Sequence, residues 1–411
     1  MPSNLRADIA AGYREKRSPD VLVVPHEAVF AGWKEGGQSG VRPLWPSTVG
    51  TSSQEVPLLF TGTGIAPGAT VPAGTTLDRV APTLMEILGI EWNNPAVHPG
   101  APLEITASGP PPRLVLVVAL EGIGSADVEG EPPRDWTFLR SLLHQGAGTM
   151  RADAGSLPLD PAAILTTVGT GGLPADHGIT GTFLRDDDAG DLTRAWGRGA
   201  PLSVIATFAD DLDADEIGFS PVDGQARVGF VADDEANRGL VGGTWYPNSD
   251  RDDVVITDPA RIVADATALL ASGYGTDGEP DVLGVVVRHS AAGMDDQLRH
   301  LVEAARTQAG DGLAVVVTAT GPAPTTGPPN DEARQPLSEI TDPVEAAVPG
   351  SSPAIEGTQP GGLFLDQATL TQAGVSSGTV VQALLRTRGA DSAPLLADAF
   401  GGFAVQFGRF C

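Results

Sequence analysis

Arg113-Leu-Val-Leu-Val-Val-Ala-Leu-Glu-Gly-Ile-Gly124 is the stretch that decides how this chain is read. Leu114 to Leu120 is an unbroken apolar run, too short for a helix and rich in β-branched residues. That pattern predicts a strand buried on both faces. It ends on a carboxylate, Glu121, and a glycine turn, and the carboxyl end of a buried strand is where an α/β sheet places ligands and chemistry. Further on comes Leu157-Pro-Leu-Asp160-Pro-Ala-Ala-Ile-Leu-Thr-Thr-Val-Gly-Thr170-Gly-Gly-Leu-Pro174-Ala-Asp176-His177-Gly178-Ile-Thr-Gly181, a Gly/Thr-rich loop with a helix expected from Pro161.

Outward from this centre, strand and helix patterns alternate. Helices are expected over 136–144, 258–270 and 295–307, and strands over 202–208, 282–287 and 313–318. Residues 209–246 and 322–360 read as irregular, the second as a long surface loop. Alternation of this kind predicts an α/β fold, a mostly parallel central sheet with helices on both faces. Before the centre, 20–25 and 56–60 read as strands and 77–89 as a helix closed by Gly89. That is too little sheet to stand alone, so its apolar faces must be buried against later parts of the chain. Residues 98–112, ending Gly109-Pro-Pro-Pro112, read as an extended linker. The expected organisation is a segment 1–97, a linker 98–112 and a main part 113–411, together one domain.

The totals narrow the function. The formal net charge is −27, with Lys16 and Lys34 the only lysines, so the surface repels phosphate backbones and anionic headgroups. Neither nucleic acid nor membrane is expected as a partner. The single cysteine, Cys411, leaves no internal disulfide and no thiolate metal cluster. With no basic-then-apolar leader pattern and no apolar run of membrane length, a cytoplasmic location is expected.

Familiar site motifs fail in context. Gly62-Thr-Gly64 does not open a helix, and Gly122-Ile-Gly124 has Asp127 where a dinucleotide fingerprint needs its third glycine. Asp210-Asp-Leu-Asp-Ala-Asp215-Glu216 has Glu216 at the turn-glycine position of a calcium loop, so it and Asp186-Asp187-Asp188 read as solvated acidic loops. Gly36-Gly-Gln-Ser39-Gly40-Val41 breaks the serine-hydrolase spacing. The six histidines form no short-range zinc pair. Arg238-Gly-Leu-Val-Gly-Gly-Thr-Trp-Tyr246 reads as a cap over the sheet end, with a binding loop as the alternative.

Several stretches together resemble the alkaline phosphatase superfamily, in its type I phosphodiesterase/nucleotide pyrophosphatase branch. Leu114 to Gly122 is similar to the family's first strand, Phe138-Leu-Arg-Ser-Leu-Leu-His-Gln-Gly146 to its following helix, Thr166 to Gly181 to its Gly/Thr and His-Gly loop, and Leu313 to Gly321 to its later strand end. Val56-Pro-Leu-Leu-Phe-Thr-Gly-Thr-Gly-Ile-Ala-Pro-Gly68 and Asp78-Arg-Val-Ala-Pro-Thr-Leu-Met-Glu-Ile-Leu-Gly-Ile90 resemble segments that normally close such a domain. The resemblance therefore implies an alkaline-phosphatase-like fold, circularly permuted.

The family's reaction uses two divalent metals, usually zinc, held by Asp and His beside a Thr or Ser nucleophile. Carried over residue by residue, the first metal ligand falls on Glu121, the nucleophile position on Asp160 or Pro161, and one further ligand on His289. The family's Asp-His pair falls on Thr320 and Gly321, and its last histidine near Gly50-Thr-Ser-Ser53. His177 matches a family histidine that is usually structural. With most ligands and the nucleophile replaced, the resemblance implies a catalytically degenerate protein, a pseudoenzyme with a binding or accessory role and no cofactor. The alternative is a divergent phosphodiesterase or phosphatase for a small phosphate or sulfate ester, using Glu121, Asp160 and His289 around one Zn, Mn or Mg ion.

Overall fold

A computed structural model of the chain describes residues 3–25, 29–31, 54–129, 136–186, 190–197, 199–214, 226–242, 253–288, 293–322, 334–389 and 392–408. The strands of its two main sheets are, in chain order, β1 (Val21–Pro25), β2 (Glu55–Gly62), β3 (Leu114–Glu121), β4 (Ala147–Asp153), β5 (Val228–Ala232), β6 (Asp253–Ile256), β7 (Asp281–Arg288), β8 (Leu313–Ala319), β9 (Ile355–Gln359), β10 (Gly362–Leu365) and β11 (Leu396–Gly401).

The central sheet has seven strands in the order β4-β2-β8-β3-β7-β5-β6. From β8 to β6 all pairings are parallel, and β3, the middle strand of the seven, lies within that block with Leu114 to Leu120 buried. This is why its sequence is continuously apolar: a strand covered on both faces has no solvent side to mark with polar residues. β2 runs antiparallel to both β8 and β4, so the sheet is mixed and the expected parallel arrangement holds for its larger part.

Two groups of helices pack with this sheet. Thr137–Gln145, Ile262–Leu270 and Met294–Ala309 lie together, with the last against β3 and β8. Val80–Leu88, Pro161–Thr170 and Phe208–Ala214 gather with a 3-10 turn, Glu235–Leu240. That turn meets the sheet at Gly284 of β7, where a Cβ would stand 2.7 Å from Val241.

The segment before the linker is buried as its composition requires. β2 is an interior strand, and Leu58, Leu59 and Phe60 belong to the same core as Leu116 and Val285. Residues 98–112 form neither helix nor strand, and they are tied down. Gly100 donates to the carbonyl of Gly171 at 2.9 Å, Ala66 to that of Ile105 at 2.7 Å, and Leu103 and Ile105 are buried.

A second sheet, β9-β10-β1-β11, is antiparallel throughout. Val21 and Val23 of β1 face a small core with Ile340, Val344, Leu363 and Val380, while Leu22 and Val24 join the main core. β1 is thus sandwiched between two cores.

Three expectations are corrected. Residues 202–207 are not a strand, and the chain instead enters the Phe208–Ala214 helix. Its start is set by Thr207 and Asp210: the Asp210 carboxylate accepts from Thr207 N at 2.8 Å, and Asp210 N donates back to Thr207 Oγ1 at 3.1 Å. Such reciprocal capping overrides the β propensity of the preceding residues. The stretch 209–246, read as irregular, contains β5. The presumed loop 322–360 contains the Ser338–Ala347 helix, whose buried Ile340 and Val344 stand one turn apart, and β9. Among the described residues no helix is long and apolar enough to cross a membrane.

Candidate functional site

The parallel register of β3 and β7 puts Arg288 directly opposite Glu121, at the carboxyl ends of both strands. Asp233 follows the last residue of β5, the next strand over. Three charged side chains therefore meet at one edge. Arg288 Nη2 lies 3.1 Å from Glu121 Oε1, and its Nε lies 2.9 Å from Asp233 Oδ2. The other Glu121 oxygen, Oε2, accepts from Asn237 Nδ2 at 2.8 Å. Asn237 is buried in the Glu235–Leu240 turn, which Asp234 caps by accepting from Ala236 N at 2.9 Å. Asp234 is also bound by Arg194.

The two carboxylates are held in an unusual electrostatic setting. Burial pushes the Glu121 carboxyl up to about 7, against the opposing pull of Arg288. Burial likewise raises Asp233. Desolvation penalises the anion more than one partly exposed guanidinium repays. A carboxyl raised above its ordinary value contributes stability that is present at low pH and lost as pH climbs toward 7. Glu121→Gln should therefore lose less stability than the wild type between about pH 5 and about pH 7.5, read as the urea midpoint at each. Equal losses would mean that the buried charge of Glu121 carries no such cost.

Asp160 is placed at the mouth of the Pro161–Thr170 helix as its N-cap. Its Oδ1 accepts from Ala162 N at 3.0 Å and from Thr182 Oγ1 at 3.1 Å, which fastens the 180–182 loop to the helix. Pro161 sits at the first helical position, where its missing N–H costs nothing. Asp160 is 1% exposed, and burial raises its carboxyl. No hydrogen bond or ion pair among the described residues joins it to Glu121. The third predicted residue, His289, lies outside the described residues, as do Gly50 to Ser53 and Thr244 to Tyr246.

His177 is fully buried, with Nε2 3.1 Å from Thr167 Oγ1 and Nδ1 accepting from Ile179 N at 3.1 Å. Burial drives its pKa down to about 3, so it stays neutral and ties the Gly/Thr loop together. Thr320, at the end of β8, accepts from Gly122 N at 3.0 Å and so braces the turn after Glu121.

A two-metal centre does not fit these donors. Glu121 gives one oxygen to a guanidinium and the other to an amide, Asp160 caps a helix, and Thr320 and Gly321 offer no carboxylate or imidazole. Among the described residues no group of three or more His, Cys, Asp or Glu side chains is arranged to hold a metal. No motif in the sequence marks Arg288, Asp233 or Asn237 as site residues. The one available signal was Arg288 closing an apolar strand just as Glu121 closes its neighbour. No protein-family model matches the sequence, and comparison with curated proteins finds no match.

Proposed function

We propose that this chain is a catalytically degenerate, circularly permuted member of the alkaline phosphatase superfamily, in its phosphodiesterase/nucleotide pyrophosphatase branch, with a binding or accessory role. The observation that carries this reading is the Glu121 carboxylate, whose two oxygens are committed to Arg288 and Asn237. A carboxylate spent on a guanidinium is not free to neutralise a metal. The permutation draws support from β2, which comes from the N-terminal segment and fills an interior place between β8 and β4. One domain built from both parts is the organisation this favours.

The second reading is a metal-dependent phosphodiesterase or phosphatase acting on phosphate or sulfate esters. It draws on the same carboxyl, held near 7, a value suited to proton transfer at neutral pH. Metal analysis of the purified chain and an aryl phosphodiester assay with Zn, Mn and Mg separate the two. The expected result is substoichiometric metal and no turnover above the protein-free rate. Stoichiometric metal with turnover abolished by Glu121→Ala would overturn the pseudoenzyme reading.

A further inference from the structure

The strand edge is short of positive charge in a specific way. Arg194 is engaged with Asp234, so the one cation facing Glu121 and Asp233 among the described residues is Arg288. Both carboxylates are largely covered, with side chains 12% and 8% exposed, while Arg288 is 44% exposed. Asp233 Oδ1 is buried without a hydrogen-bond partner among the described residues, although its sister oxygen holds the guanidinium. Two covered anions, one of them with an acceptor to spare, thus surround one cation that reaches solvent. The cation is covalently part of the chain.

We propose that Arg288 is a built-in counter-ion: its guanidinium holds the place between Glu121 and Asp233 that a hard divalent cation would otherwise neutralise, and its removal turns this edge into a site for Mg2+ or Mn2+. The inference rests on reading the edge as a former metal position. Carboxylate and water oxygens suit hard cations such as Mg2+ and Mn2+, and two carboxylates completed by water suffice for such an ion. A guanidinium satisfies the same charge with directional N–H donors and cannot dissociate or deprotonate.

The test uses Mn2+ alone. Wild type, Arg288→Gln, Arg288→Lys and the double variant Arg288→Gln/Glu121→Gln are titrated with Mn2+, following the free ion by electron paramagnetic resonance, and melted with and without it. Arg288→Gln should bind one Mn2+ at least about tenfold more tightly than wild type, and its melting temperature should rise with Mn2+ through linkage. Arg288→Lys keeps the charge and should behave as wild type, and the double variant should lose the gain. Should Arg288→Gln fail to fold alone, Mn2+ should restore its native circular dichroism on refolding. Equal Mn2+ binding by wild type and Arg288→Gln, or no restoration on refolding, overturns the proposal. Turnover by the wild type would instead sink the proposed function and leave this comparison intact.

Discussion

Phe60→Ala should destabilise the whole protein by about 3–5 kcal/mol, the range for emptying a large, fully buried aromatic site. Phe60 is 0% exposed and lies on β2, opposite Val316 of β8 on one side and Ala147 of β4 on the other. The cavity would open on one face of the central sheet, where a backbone fixed by ladders on both sides of β2 cannot collapse inward. Its position gives the experiment a second meaning. Phe60 belongs to the segment before the Pro/Gly linker, and a loss of this size in a single cooperative transition requires that segment to share its core with β3 and β7. Phe403→Ala is the control, since that ring is 63% exposed and its loss should stay within about 0.5 kcal/mol. Comparable losses for the two variants in chemical denaturation would show that β2 is not part of the cooperative unit.

Gly239→Ala should cost about 1–3 kcal/mol through overpacking and should disturb the strand edge as well. A Cβ at Gly239 would stand 1.9 Å from Thr166 Oγ1, and one at Gly169 would stand 2.1 Å from the Gly239 carbonyl oxygen. The Pro161–Thr170 helix and the Glu235–Leu240 turn therefore touch backbone to backbone, and Asn237 is delivered to Glu121 by that contact. Pushing the turn away withdraws a donor from a carboxylate already raised by burial, so the Glu121 carboxyl should move up further from about 7. Carbon-detected titration of the side chain in wild type and Gly239→Ala reads this directly. Gly278→Ala, where an added Cβ meets nothing within 4 Å, provides the neutral comparison. Identical stability and identical titration in the two variants would mean that the helix and turn have slack.

The parts of the fold that were legible in the sequence are those whose signal is local. β3, β7 and β8 are continuous apolar runs because each is covered on both faces, and the Val80–Leu88 helix shows its stripe and its closing glycine. β5 was hidden by Gly229, which reads as a breaker in isolation. The structure supplies the reason: a Cβ there would meet the Tyr274 hydroxyl at 2.6 Å, so the glycine answers to a distant ring. The site divides in the same way. Glu121 and Asp160 stand out because they close a strand and open a helix. The partners of Glu121 depend on the register of β7 against β3 and on a turn that returns after β5, and no local pattern encodes either. Asp160 also has a purely local role, since a carboxylate just before Pro161 is a good helix cap and it caps the Pro161–Thr170 helix.

β1 carries a further consequence, for the order in which the protein can assemble. Its neighbours in the second sheet, β10 and β11, are made long after it, and Asp20 Oδ2 accepts from Leu365 N across 345 residues of chain. β2 likewise waits for β4 on one side and for β8 on the other. A nascent chain emerging from the ribosome therefore holds Val21–Pro25 as a sticky, unpaired strand through most of its synthesis, while Glu55–Gly62 finds its first partner once β4 is made and its second only with β8. The second sheet closes only after β11 has been made, and protecting Val21–Pro25 until then falls to whatever meets the chain at the exit tunnel.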